Sequence, residues 1–240
     1  MTPRQKQLLA AIIQEFISTA TAVGSISLND KYKFKVSPAT IRNEMAALVR
    51  EGYLDKPHSS AGRVPTTMGL RYFIEEQLQE LEELDTVAKE KVKSQLYNLR
   101  FDKEMLIREA LKVLTQISHN ATVALIGKEI YYAGLADMLD IPEFQEIESL
   151  RKIMTVLENY VTLSDIFNRS HSDRDVKVLI GEETGLDYFG KYAIVFSELR
   201  LHRGTGGFIA VIGPNRMDYS RIIPAVQFVG NSISEVVKGW

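Results

Sequence analysis

The sequence contains no cysteine, which excludes disulfide bonds, thiolate nucleophiles and cysteine-ligated zinc. It also lacks low-complexity tracts, and its 45% hydrophobic and 25% charged residues are those of an ordinary globular protein. The N-terminal segment MTPRQKQLLAAIIQEF is interrupted by charges, so it predicts neither a signal peptide nor a membrane span. We therefore expect a soluble, cytoplasmic protein without a membrane partner.

The formal net charge of −2 hides an uneven distribution. Residues 1–74 hold ten Lys/Arg against five Asp/Glu (+5), and residues 75–240 hold nineteen against twenty-six (−7). A basic module joined to an acidic body is typical of a protein in which one end meets phosphate, although a chance fluctuation could also give +5. A chain of 240 residues is long enough for one large domain or two small ones.

The first part of the chain reads as three short helices followed by a strand and a loop. Two cap-plus-proline pairs, Thr2-Pro3 and Ser37-Pro38, mark the starts of the first and third helices, and Gly52 ends the third. A short strand at 53–56 then leads into a basic loop. This order is that of a winged helix-turn-helix domain, although other small helical domains share it. The remaining predicted elements are a helix at 26–32 capped by Ser25, a loop at 57–65 and a helix from Thr66 or Thr67.

The rest of the chain mixes helices and strands, which predicts an α+β domain. We expect the winged-helix domain at 1–74, a helical linker at 75–101 and the α+β domain at 102–240. The run Arg203-Gly204-Thr205-Gly206-Gly207 indicates a hairpin turn between the last two strands. The predicted helices are 103–118, 142–160 and 219–237, and the predicted strands are 122–126, 130–133, 176–180, 193–201 and 208–212.

The third helix is the candidate for entering the major groove of DNA. Its apolar residues turn inward, which leaves the first turns exposed. Asn43 can pair with adenine, the methyl groups of Ala39 and Thr40 can touch thymine, and Arg42 suits guanine or phosphate. The Ser37 hydroxyl and the first-turn N–H groups suit a backbone phosphate. The alternative is that Ser37 is only a helix cap and that Arg42 and Asn43 only form a solvated face.

The loop after the strand supplies the second set of candidates. Its residues are small, hydroxylated or basic, and nothing in it is apolar enough to bury. Gly62 allows close backbone approach, and Arg63 could follow or enter the minor groove. No second metal ligand lies at a recognised spacing from His58, which argues against a metal role. A contact to phosphate or to backbone is therefore preferred for His58. The loop candidates for DNA contact are Lys56, His58, Ser59, Ser60, Gly62 and Arg63.

These segments resemble a known family. The run SPATIRNEMAALVREGYLDKPHSSAGRVPTTMGLRYFI is similar to the N-terminal winged-helix domain of HrcA, the bacterial heat-inducible transcription repressor. Three later stretches resemble the same family in the same order: residues 130–158, VLIGEE at 178–183 and GFIAVIGPNRMDY at 207–219. The runs HSSAGRVPT and IGPNRMDY are the most specific.

The resemblance implies a stress-response repressor of chaperone operons. It implies a homodimer that binds an inverted-repeat operator called CIRCE and is released on heating, with the chaperonin GroEL as a partner. It implies a GAF-like body without a cofactor or an established ligand. Members of the family run to roughly 340 residues, so about a hundred are absent here, apparently including the inserted dimerisation domain and some early strands of the GAF-like sheet. Dimerisation would then fall to the helix at 78–99 or to that truncated sheet.

Three alternatives compete with this interpretation. An enzyme could use Glu182-Glu183, Asp137 with Asp140, or His171 with Asp173 and Asp175, but none has a diagnostic spacing, so no catalysis is expected. A ligand-gated regulator with a small-molecule-sensing GAF-like domain is the stronger alternative, although a shortened sheet argues against a deep pocket. The third is a winged helix used only for protein contacts.

Overall fold

The computed structural model describes residues 1–58, 61–77, 84–170, 174–201 and 206–237. It divides the chain into two compact units, 1–79 and 80–240. Helices and antiparallel strands occur in both units, so the α+β class is confirmed. In the described part of the chain, no helix is both long and apolar enough to cross a membrane.

The first unit begins with three helices, α1 (Pro3–Thr19), α2 (Ser25–Tyr32) and α3 (Pro38–Arg50). The predicted cap of α1 is present: the Thr2 hydroxyl accepts from Gln5 N–H at 3.3 Å, and the Gln5 side chain accepts from Thr2 N–H at 2.8 Å. The predicted cap of α2 is wrong, because Gly24 holds the cap position and Ser25 is already helical. The three helices share a core that includes Leu8, Leu9, Ile12, Ile13, Leu28, Ile41, Met45 and Leu48.

A two-stranded antiparallel sheet follows α3. Strand β1 (Leu54–Asp55) pairs with β2 (Val64–Pro65), and the loop between them contains Ser59 and Ser60, which lie outside the described residues. Helix α4 (Thr67–Tyr72) starts at once, with a π-helical turn at Phe73–Gln77. The Thr66 hydroxyl caps α4 by accepting from Gly69 N–H at 3.1 Å, and it donates to the Gly52 carbonyl at 2.6 Å.

The second unit is built on a five-stranded antiparallel sheet. The strands are β3 (Ala121–Ile126), β4 (Glu129–Ala133), β5 (Val176–Ile180), β6 (Tyr192–Arg200) and β7 (Gly206–Pro214), in the order β4-β3-β7-β6-β5. Strands β3, β6 and β7 are nearly continuous apolar sequences because both faces of the central sheet are covered. These strand predictions agree with the structure to within two residues at each end.

Five helices accompany this sheet in the described residues. They are α5 (Thr86–Asn98), α6 (Lys103–Ser118), α7 (Ile147–Leu157), α8 (Tyr160–Arg169) and α9 (Tyr219–Val237). Helices α6 and α9 pack on each other, and α9 crosses β6. The core on the other face contains Phe144, Phe167, Phe189 and Phe196 together with residues of α7 and α8.

Two expectations about this part of the chain are corrected. The predicted helix 142–160 is a short 3-10 turn, Pro142–Phe144, followed by α7, and Asn159 caps a further helix, α8, that the pattern did not predict. The predicted linker 75–101 contains α5, which packs against α6 and α9 and so belongs to the second unit. Most of the predicted hairpin turn, residues 203–205, lies outside the described residues.

Candidate nucleic-acid interface

The start of α3 is fixed by Ser37. Its hydroxyl accepts from Thr40 N–H at 3.2 Å and lies 3.0 Å from the Thr40 hydroxyl. Pro38 takes the first helical position, where a missing N–H costs nothing. Ser37 is therefore a helix cap in this structure, and the Thr40 hydroxyl is held by the cap and not extended outward.

The outward face of α3 carries the predicted polar side chains. Ala39, Arg42 and Asn43 are exposed, whereas Thr40 is half-buried. Ile41 and Met45, 1% and 3% exposed, hold the opposite face in the core. The helix thus presents a methyl group, a guanidinium and an amide on one surface.

The loop between β1 and β2 is joined to the segment before α2. Val23 N–H donates to the Arg63 carbonyl at 2.8 Å, and Arg63 N–H donates to the Val23 carbonyl at 2.9 Å. Gly62 makes this approach possible, since a Cβ there would lie 2.4 Å from the Val23 carbonyl oxygen. The predicted close approach at Gly62 is therefore an approach within the protein.

The Arg63 side chain is half-buried and folded back on its own loop. Its Nη1 donates to the carbonyls of Ala61 at 3.2 Å and Gly62 at 3.1 Å. Its Nε is shielded from solvent and has no hydrogen-bond partner among the residues that the structure describes. Lys56 and His58, earlier in the same loop, are exposed.

A groove of about 630 Å³ brings several of these residues together. Arg42 of α3, Lys56 after β1, and Gly62 and Arg63 of the loop all line it. The remaining site candidates, Ser37, Ala39, Thr40, Asn43 and His58, do not line it, and Ser59 and Ser60 fall outside the described residues.

The sequence pattern missed one wall of this groove. Gly24, Ser25, Ser27 and Asp30, at the start and along the length of α2, also line it. Gly24 at the cap position has no side chain to satisfy the first N–H groups of the helix. The sequence pattern assigned the cap of α2 to Ser25, so the uncapped start at Gly24 was not recognised as a signal for this wall.

The candidate acidic sites of the second unit do not come together. Asp137, Asp140, Asp175 and Glu182 are exposed, and a Glu183 carboxylate oxygen accepts from the Ile180 N–H at 2.8 Å. Searching the described residues finds no group of three or more His, Cys, Asp or Glu that could hold a metal ion. His171 and Asp173 lie outside these residues.

The fold and the groove define a class of protein: a basic helical unit with an exposed polar helix, joined to an α+β unit on an antiparallel sheet. The chain belongs to the HrcA family, because the family model described as the HrcA protein C-terminal domain matches residues 67–223. That match covers well over half of the chain and includes the sheet of the second unit.

Curated relatives carry the same family name. The chain is 26% identical over 340 aligned positions to the heat-inducible transcription repressor HrcA of Alkaliphilus metalliredigens, covering 100% of this chain and 98% of that protein. It is 27% identical over 334 positions to the protein of the same name from Carboxydothermus hydrogenoformans, covering 98% and 97%. Because the chain has 240 residues, about 100 of the 340 positions have no residue here. These relatives are named as transcription repressors, and the family function is repression of transcription.

A solved structure shares the fold. A crystal structure described as that of a hypothetical protein superposes with a TM-score of 0.84 at 20% sequence identity, covering 100% of this chain and 99% of that chain. At this identity the likeness concerns the fold alone.

Proposed function

We propose that this chain is a DNA-binding repressor that uses its first unit as a winged helix and its second as a GAF-like body. In this proposal α3 enters the major groove, and the loop between β1 and β2 follows the DNA backbone. The operator is an inverted repeat of the CIRCE type upstream of chaperone operons. No catalysis is part of the proposal, and the location is the cytoplasm, where this DNA lies.

The observation that carries the proposal is the exposed start of α3 beside a basic loop. Asn43 and Ala39 are exposed on a helix whose other face is fixed in the core, so their positions are rigid. A rigid helix with a free amide and a free methyl group can read adenine and thymine in the major groove. The family membership, shown by a match that begins at residue 67, supports the same function without using α1, α2 or α3.

The proposal divides the candidate residues into two roles. Ala39, Thr40 and Asn43 contact bases, with Thr40 offering its methyl group because its hydroxyl is held by Ser37. Arg42 serves backbone phosphates, since it lines the groove shared with the loop. The other phosphate-facing residues proposed here are Ser37, through its helix start, and Lys56, His58, Ser59, Ser60 and Arg63. Gly62 supports them by letting the loop approach Val23.

Dimerisation is proposed because an inverted repeat presents two equivalent half-sites related by a twofold axis. Release on heating then requires only that the second unit loses its fold or its partner before the first does. GroEL is proposed as a partner on the family resemblance alone. The matched relatives are named as heat-inducible repressors, which does not favour the ligand-gated alternative.

The test is a binding titration of the full chain against a CIRCE-type inverted repeat and a scrambled duplex, with sedimentation to give the oligomeric state. We expect Asn43→Ala to cost about 1–3 kcal/mol against the cognate duplex and little against the scrambled one. We expect Arg42→Ala to weaken binding to both duplexes alike. The slope of log K against log salt concentration should become shallower by about one, the value for one phosphate contact.

Glu51→Gln is the matched control, since Glu51 is an exposed residue at the far end of α3. Equal affinity of the wild-type chain for the cognate and scrambled duplexes would refute sequence-specific repression. Unchanged binding in both the Asn43 and Arg42 variants would refute the placement of α3.

A further inference from the structure

The groove beside α3 is positively charged and is built from three separate elements. Arg42 comes from α3, Lys56 from the end of β1 and Arg63 from the loop that precedes β2. Asp30 of α2 is the one acidic side chain in its lining, so three positive charges face one negative charge. The excess of positive charge creates a potential that attracts an anion.

Among the described residues, these three cations lack carboxylate partners, unlike others in the same unit. Arg4 pairs with Glu44, and Lys31 pairs with Glu15 at 2.5 Å; in each case hydrogen bonding by the carboxylate raises the pKa of the basic group. No ion pair within the described part of the chain involves Arg42, Lys56 or Arg63. Lys33, Lys35 and Arg50 also make no ion pair with a residue that the structure describes, but they do not line this groove.

The donors of Arg63 are only partly used. Nη1 makes both of its hydrogen bonds to loop carbonyls, whereas Nε is buried and has no acceptor in the described structure. A buried donor without an acceptor costs roughly 1–3 kcal/mol.

The start of α2 adds neutral donors to the same wall. The N–H groups of Ser25, Ile26 and Ser27 have no acceptor among the residues described, and Gly24 offers no side-chain cap. Ser27 turns its own hydroxyl toward the Gly24 carbonyl at 3.1 Å, which leaves the amides uncapped. Free first-turn N–H groups favour an anion at this position, in addition to the three cations.

We propose that this groove is an anion site that holds one backbone phosphate of the bound DNA, between Arg42, Lys56 and Arg63 and the first N–H groups of α2. The site rests on the proposed function and adds to it a contact from α2. Arg42 then fixes the position of α3 on the duplex and does not read guanine. The Val23–Arg63 pairing joins the loop to the segment before α2, so both walls of the site are held together.

The first experiment tests the anion site without DNA. Inorganic phosphate is titrated into the full chain while the amide NMR signals of Ser25, Ile26 and Ser27 are followed. We expect saturable shifts whose affinity falls about tenfold in Arg42→Gln or Lys56→Gln and stays unchanged in Arg50→Gln. Asp30→Asn should tighten binding severalfold, because the removed carboxylate repels the anion. Absence of shifts at these amides, or wild-type phosphate affinity in both Arg42→Gln and Lys56→Gln, would overturn the site.

The second experiment asks whether the anion is a DNA phosphate. Duplexes carry a neutral methylphosphonate at one backbone position at a time. One position in each half-site should weaken wild-type binding about tenfold, and the same substitution should have little effect on Arg42→Gln. A loss that is the same in both proteins at every position would overturn the phosphate contact while leaving DNA binding intact. If the chain binds no DNA at all, the proposed function fails, and the phosphate titration alone then decides whether the groove holds an anion.

Discussion

Replacing Gly62 by alanine should separate the loop from α2. The added Cβ would lie 2.4 Å from the Val23 carbonyl oxygen, 2.5 Å from its carbonyl carbon and 2.8 Å from the Ala22 carbonyl carbon. All three are backbone atoms, so no side-chain rotation can relieve the contact. Either the loop moves away or the segment before α2 is displaced.

The two routes lead to similar costs. Overpacking of this kind costs about 1–3 kcal/mol. Moving the loop instead breaks the two backbone hydrogen bonds between Val23 and Arg63, at roughly 1 kcal/mol each. We therefore expect the free energy of unfolding of the first unit to fall by about 2 kcal/mol. For a unit of this size, that corresponds to a Tm lower by roughly 8–16 °C.

Hydrogen–deuterium exchange on the full chain provides the assay. The Val23 and Arg63 amides should lose protection in Gly62→Ala, and the groove should bind phosphate more weakly because its walls separate. Gly24→Ala is the matched control in the same unit, since a Cβ there meets only the Ser27 hydroxyl at 3.6 Å. That change should cost less than about 1 kcal/mol, the range of a cap replacement. Retained protection of both amides and an unchanged Tm in Gly62→Ala would refute the close approach.

Three further predictions concern single contacts. Ser37→Ala should cost about 1 kcal/mol in urea unfolding and Ser37→Asp should recover most of it, because either oxygen can cap α3; equal stability of both variants would contradict the cap. Hydrogen bonds from Lys103 and Tyr131 lower the pKa of Glu129, so Lys103→Met should raise that pKa, as an NMR pH titration would measure. Because the pKa of Glu129 is depressed in the folded state, the stabilisation that it provides is lost as the pH falls through that pKa. Glu143→Gln should cost about 2 kcal/mol, because the half-buried Arg216 guanidinium loses a two-point carboxylate partner; unchanged unfolding in Glu143→Gln would contradict a stabilising pair.

The helices could be predicted because their start signals are local. Pro3 and Pro38 each follow a hydroxyl residue, and both helices begin where that pair places them. The missed helix, α8, also has a local cap at Asn159. The predicted helix 142–160 took this cap as an interior residue and ended at Tyr160, where α8 begins, so α8 itself was not predicted.

The groove could not be predicted, because it depends on contacts distant in sequence. Val23 and Arg63 are forty residues apart, and no local pattern shows that their backbones pair. The sequence did indicate that Gly62 was required for a close approach, but the approaching chain is the protein's own backbone. Pairing between distant segments is set by packing of the whole unit, which a window of neighbouring residues does not contain.

The intramolecular role of Gly62 changes what a loss of DNA binding in its variants would mean. A contact residue weakens binding by removing its own interaction, whereas Gly62 would act through the positions of Arg63 and α2. The two cases differ in their coupling to Arg42. If Gly62 acts by closing the groove, Gly62→Ala and Arg42→Gln should be less than additive, because an open groove leaves Arg42 without its phosphate. Additive losses would instead place Gly62 directly against the DNA backbone, independent of the groove.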